Sequence, residues 1–153
     1  MKPKLLVSAC LLGTPCRYDG KSKKNEAVCA LVERFELIPV CPEVLGGLPT
    51  PRTPSERRGA CVVRKDGRDV TAEYRRGAEC ALETARREGV LAAVLKERSP
   101  SCGSGEIYDG TFTGALTAGD GVTAELLKAN GITVYGEGEQ SLTEFLCSVS
   151  HST

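Results

Sequence analysis

The chain has 153 residues, with 20 Lys and Arg against 20 Asp and Glu, eight Cys and a single His. That length suits one domain with a core that needs no disulfide staples, and a net charge of zero removes the electrostatic case for nucleic acid or an anionic membrane as the main partner. No apolar run approaches the ~18 residues of a membrane span, and the opening Met1-Lys2-Pro3-Lys4-Leu5-Leu6-Val7 is too soon interrupted for a signal peptide, so a cytoplasmic protein is expected.

The first apolar run, Leu5-Leu6-Val7, predicts a buried strand over 4–8. A loop over 9–20 follows, carrying Cys10, Cys16, Arg17, Tyr18 and Asp19. Val28, Leu31, Val32 and Phe35 recur at helical spacing and predict an amphipathic helix over 25–36. Leu37-Ile38-Pro39-Val40 reads as a second strand, with Pro39 arguing against a central position. The second loop, 41–52, holds Cys41, Glu43, two glycines, two prolines and Arg52. Residues 60–70 read as a small hairpin turning at Asp66-Gly67, where glycine supplies the positive φ of a tight turn.

Ala78, Ala81, Leu82 and Ala85 place a helix over 71–88, ended by Gly89. Val90 to Leu95 is the strongest strand signal, and the third loop, 96–105, contains Ser99-Pro100-Ser101-Cys102-Gly103. A helix over 122–130 closed by Gly131, a strand over 132–135 and a last helix through Leu142, Phe145, Leu146 and Val149 complete the order. Ser141 and Glu144 form a capping box in sequence at the start of that helix. Residues 151–153, with the lone His151, read as a tail.

Short continuous apolar runs, rather than alternation, suit a parallel sheet covered on both faces. The element order predicts an α/β fold: a single three-layer, Rossmann-like domain over 1–153 with a mostly parallel sheet of about four strands and a small hairpin excursion. All three special loops leave the carboxyl ends of strands, the edge where open parallel sheets bind ligands.

Eight Cys in a reducing compartment are not four disulfides. With His151 in the tail, a Ser-His-Asp triad, a Cys-His pair or a His-rich zinc site has no positioned imidazole. Cys10, Cys41 and Cys102 each follow a predicted strand, and neighbouring strands lie about 4.8 Å apart, so the three thiols emerge at one edge within reach of a common ion or cluster. Cys29, Cys61, Cys80 and Cys147 fall on elements away from that edge and read as small hydrophobes or surface residues. Cys16 is an intermediate case, sharing the first loop with Cys10.

Three thiolates leave one coordination position open. On zinc that position holds a water for hydrolysis. On a four-iron, four-sulfur cluster it leaves one iron for a substrate atom, and soft iron–sulfur chemistry favours a sulfur-bearing substrate.

Four blocks resemble one family: Cys10-Leu11-Leu12-Gly13 with Arg17-Tyr18-Asp19-Gly20; Cys41-Pro42-Glu43 with the stretch from Gly46-Gly47 to Arg52; Gly67-Arg68-Asp69-Val70-Thr71; and Ser99-Pro100-Ser101-Cys102-Gly103. Together they resemble the bacterial thiouracil desulfidase family. The resemblance implies a [4Fe-4S] cluster held by Cys10, Cys41 and Cys102, with one iron not ligated by protein, acting on a thiolated uracil to give the ordinary pyrimidine and hydrogen sulfide. It also implies active roles for Glu43 and Ser101. A free base, nucleoside or nucleotide is expected rather than RNA.

With no internal His, Glu43 is the expected base, Ser101 a hydrogen-bond donor to ring, sulfur or water, and Asp19 a weaker acid–base candidate. Arg17 and Arg52 could hold a phosphate or a carbonyl oxygen. Gly119-Asp120-Gly121 ahead of a helix is a weak phosphate signal, since Asp120 also reads as an N-cap. Two alternatives stand beside the desulfidase: a zinc hydrolase using the same three cysteines, and a non-catalytic iron–sulfur or redox-sensing protein.

Overall fold

The first strand, β1 (Lys4–Ser8), lies inside a parallel sheet, paired to β2 (Glu36–Val40) on one side. In the computed structural model, which describes residues 2–150, the chain runs from β2 through a one-turn helix α2 (Pro42–Leu45) into a hairpin, β3 (Ser55–Arg58) and β4 (Cys61–Arg64). Helix α1 (Glu26–Cys29) precedes β2. Helix α3 (Thr71–Glu88) returns the chain to β5 (Ala92–Val94), which pairs with the free side of β1. A second hairpin, β6 (Glu106–Tyr108) and β7 (Leu116–Ala118), leads to α4 (Val122–Ala129), β8 (Val134–Tyr135) and α5 (Glu139–Ser150). The four-stranded sheet has the order β2-β1-β5-β8, all parallel. The tail expected at 151–153, with His151, lies outside the described residues.

Strand periodicity builds the three layers. Leu5 and Val7 face Val28, Leu31, Phe35, Leu142 and Phe145 on one side. Leu6, Ala93 and Leu95 face Leu82, Ala85, Ala124 and Leu127 on the other. Leu5, Leu6 and Val7 are all wholly buried, as a central strand requires. Among the described residues no helix is long and apolar enough to cross a membrane.

The predicted 71–88 helix is present to the residue, capped by Gly89 at φ 65°. The 25–36 helix is shorter than predicted. Asn25 caps it by accepting from the Val28 amide at 3.0 Å, but α1 ends at Cys29 and tightens into a 3₁₀ turn over Ala30–Glu33. The Glu36 amide donates to Pro3 and pulls Glu36 into the sheet, so pairing overrides the helical stripe.

The capping box at Ser141 and Glu144 does not form. Helix α5 already begins at Glu139, Ser141 accepts from the Gly136 amide instead, and Glu144 accepts from Gln140. The hairpin is also displaced. Its turn is at Gly59, and the Asp66-Gly67 turn closes only a single bridge between Val63 and Asp69. The missed partner strand, Ser55-Glu56-Arg57-Arg58, has no apolar residue to announce it.

Candidate active site

Strand β1 sits between β2 and β5, where the sheet's direction of growth reverses. Ligands of open α/β sheets bind at such a switch point. A cavity of about 620 Å³ opens there, within the ~300–1,000 Å³ range of small-molecule sites. Cys10, Cys41 and Cys102 all line it, together with Glu43, Arg17 and Arg52; Cys16 joins them on the wall.

Each thiol is placed by its strand and by a local turn. Cys10 rides a single 3₁₀ turn (Ala9–Leu12) directly after β1, closed by Gly13 at φ 105°. Cys41 is the N-cap residue of α2, with Pro42 starting the helix. Cys102 is held by Ser99, whose hydroxyl accepts from the amides of Ser101 and Cys102 at 3.0 Å each. That turn is zipped to the start of α4: the Val122 amide donates to Pro100 and the Thr123 amide to Ser101. Gly121 permits the approach, since a Cβ there would lie 2.4 Å from the Ser101 carbonyl carbon.

Cys41 and Cys102 are held toward the protonated thiol by their surroundings. Burial, then the nearby Glu43 charge, pushes Cys102 up to about 12. Contact with the Cys16 thiol, then burial, raises Cys41, and contact with the Cys10 thiol raises Cys16. Ligation therefore has to expel these protons. Among the described residues no three Cys, His, Asp or Glu side chains converge tightly enough to grip one metal ion. Three soft donors arranged around a cavity suit a polynuclear iron–sulfur cluster, whose ligand positions are spread over several metal atoms.

Glu43 is fixed by three donors on one oxygen. Arg52 Nη2 donates to its Oε2 at 2.9 Å, Arg52 Nε at 3.3 Å and the Tyr74 hydroxyl at 3.1 Å; none of these reaches Oε1. Burial works against the Arg52 charge, but the Glu43 carboxylate outweighs it and holds the guanidinium above its ordinary value. Burial, then the same carboxylate, raises the Tyr74 hydroxyl.

Glycines bring Tyr74 and Glu43 together. A Cβ on Gly77 of α3 would meet the Pro42 carbonyl at 1.9 Å, and one on Gly46 would meet the Glu73 carbonyl at 2.0 Å, so α2 and α3 touch backbone to backbone. Gly77→Ala should force them apart, destabilising the fold by about 1–3 kcal/mol and lowering Tm by several degrees in a thermal melt, with activity falling alongside.

The structure separates the remaining candidates. Ser101 is completely buried, its hydroxyl paired with Thr123 Oγ1 at 2.8 Å, and it does not line the cavity; it braces Cys102 against α4. Asp19 is off the wall too, accepting from the Lys21 amide and facing Arg17 at 3.8 Å, which makes it a turn residue. Arg52 does not serve an incoming anion. Its five N–H donors are engaged with Glu43, Cys16, Pro49 and Thr50, because they stitch the first loop to the second. Arg17 remains on the wall, lying over the Tyr18 ring.

Asp120 does not cap α4. Gly121 is the N-cap residue, and Asp120 Oδ1 accepts from the Gly105 amide and from Lys128. The first amides of α4 are spent on Pro100 and Ser101, so no phosphate cradle forms there. Cys29, Cys61, Cys80 and Cys147 all lie off the cavity wall.

Sequence reading missed Tyr74, Ser8 and Lys96. Tyr74 carried a usable signal: it precedes Ala78 by one helical turn on a buried stripe, and a buried tyrosine hydroxyl needs a partner. Ser8 Oγ accepts from the Lys96 amide at 2.9 Å, tying the ends of β1 and β5, and Lys96 Nζ pairs with Glu137 at 3.0 Å. Neither pairing has a local sequence signature.

A doubly wound α/β fold with thiols from three strand ends lining its switch-point cavity defines a protein built to hold a metal cofactor beside a small substrate. The chain belongs to the 2-thiouracil desulfurase family, whose profile matches residues 5–139. A solved [4Fe-4S]-dependent thiouracil desulfidase, TudS, is 51% identical and superposes with a TM-score of 0.90, covering 97% of this chain and 99% of its own. The uncharacterized protein YbbK of Bacillus subtilis (strain 168) is 45% identical over 145 residues, spanning 88% of this chain and 96% of its own length. Neither the family nor these relatives supports the zinc alternative.

Proposed function

We propose that this chain is a [4Fe-4S]-dependent desulfidase of the cytoplasm, acting as one domain. It exchanges the sulfur of a thiolated uracil for oxygen from water, giving uracil and hydrogen sulfide. The observation that carries this reading is the meeting of Cys10, Cys41 and Cys102, each from a different strand end, on one cavity wall with the Glu43–Arg52–Tyr74 constellation. The family membership and the likeness to TudS support it.

Cys10, Cys41 and Cys102 would hold the cluster, supplying three protein ligands for four irons. When bound, the cluster supplies a Lewis-acidic iron for the soft thiocarbonyl sulfur. The protein's task is to deliver water to the ring carbon. Glu43, locked through Oε2 by Arg52 and Tyr74, offers Oε1 to take the water's proton. The C=S bond gives way to C=O, the two protons of water leave with the sulfur, and no electrons change hands. Ser101 acts by holding Cys102 in place. The cavity takes a free base, nucleoside or nucleotide rather than a folded RNA.

Anaerobically reconstituted protein should carry about four iron and four sulfide per chain with a broad absorbance near about 400 nm, and should release sulfide from a thiouracil. A colourless protein that holds one zinc and no iron after reconstitution sinks the reading. A loaded cluster that yields no sulfide from 2- or 4-thiouracil favours the sensor alternative.

A further inference from the structure

The chain is poor in aromatic residues: four Tyr, three Phe and no Trp. Phe35, Phe145 and Tyr135 cluster in the core layer packed on Leu5 and Val7, their tilted rings having centroids 5.3 and 5.1 Å apart. The other four, Tyr18, Tyr74, Tyr108 and Phe112, all line the cysteine cavity. Tyr74 is committed elsewhere, its hydroxyl serving Glu43. Tyr18 and Phe112 each lie beside a guanidinium, of Arg17 and Arg58 respectively.

Phe112 is different in kind. It sits at the tip of the β6–β7 hairpin at φ 59°. That left-handed conformation is a genuine outlier for a bulky side chain. Among the described residues only one other non-glycine, Arg98 at φ 66°, has a positive φ, and it lines the same cavity. Such conformations persist only when surrounding contacts enforce them, and they gather where a side chain must be aimed.

The enforcing contacts come from β3. Glu56 Oε1 accepts from the amides of Gly110 and Phe112 at 3.0 and 3.1 Å. Arg58 Nε donates to the Gly110 carbonyl at 2.6 Å, and its guanidinium lies over the Phe112 ring at 5.9 Å. Gly110, at φ 93°, has no room for a Cβ, which would meet Arg58 Cγ at 2.4 Å. The hairpin tip is thus pinned to β3 with a strained phenylalanine on the cavity wall.

We propose that Phe112 recognises the substrate by stacking on the flat face of the pyrimidine, and that Glu56 is the positioning residue that holds it there. This rests on the desulfidase reading for the identity of the ring. A pyrimidine presents a π-face whatever its substituents, so stacking secures the ring while leaving its edges, and the sulfur, free for the chemistry.

The test is equilibrium dialysis of uracil and 2-thiouracil against reconstituted protein, with steady-state sulfide release alongside. Phe112→Ala should weaken binding of both pyrimidines about tenfold and raise KM by more than it lowers kcat, with iron content at the wild-type level. Phe112→Tyr should restore binding. Phe112→Leu, which keeps apolar bulk but has no π-face, should stay weak. Glu56→Ala should weaken binding as Phe112→Ala does.

Wild-type affinity in Phe112→Ala or Phe112→Leu overturns the stacking role, as does a wild-type protein that binds neither pyrimidine. Wild-type affinity in Glu56→Ala overturns the positioning role. Uracil binding reads the stacking with no turnover, whereas absence of sulfide release from the wild type counts against the desulfidase reading alone.

Discussion

Cys102→Ala should leave a folded, colourless protein. The thiol is buried in the turn that follows β5, and the fourth cavity cysteine, Cys16, lies against Cys10 and Cys41 instead, so it does not take the place of Cys102. The bonds that shape its turn, from Ser99 and to α4, run through backbone and neighbouring side chains and survive the substitution. The loss is therefore confined to the cofactor. Iron after anaerobic reconstitution should drop to background, with sulfide release undetectable. Cys10→Ala and Cys41→Ala should behave alike, while Cys29→Ala and Cys80→Ala, off the cavity wall, should load normally. Wild-type iron in Cys41→Ala would show that the strand-edge placement names the wrong ligands.

Glu43→Gln should separate chemistry from assembly. The amide oxygen still accepts from Arg52 and Tyr74, so the local geometry and the iron content should persist. What disappears is the capacity to take a proton, and loss of a positioned base costs about 10²–10⁴-fold in rate. The fall should appear in kcat at nearly constant KM, and wild-type turnover would reduce Glu43 to an anchor for Arg52. Tyr74→Phe removes one of three donors to the same oxygen and should do much less.

The parts legible in the sequence were those written in local pattern. The apolar runs of β1 and β5 and the stripe of α3 marked a covered parallel sheet, and the strand ends then put three cysteines at one edge, whereas Glu43 was singled out by the family resemblance and the lack of an internal His. The helix at 25–36 failed at its end because the Glu36 amide finds a sheet partner, which is a tertiary event. β3 escaped notice because its four residues are polar or charged and its pairing is its only signature. Arg52 looked free to bind a ligand because the partners that bury its guanidinium, the Glu43 carboxylate and the Cys16 carbonyl, lie 9 and 36 residues away in the chain. Phe112 lies in a hairpin of three-residue strands, too short for any period to emerge.

The position of β1 between β2 and β5 has a bearing on how the enzyme is matured and kept in service. The three cysteines are brought to one edge by the pairing of β1 with both flanking strands, contacts made without any cofactor. The apolar layers on both faces of the sheet owe nothing to iron. Removal of iron should therefore leave a folded chain, read as an unchanged far-UV circular dichroism spectrum after chelation, that takes up iron and sulfide again.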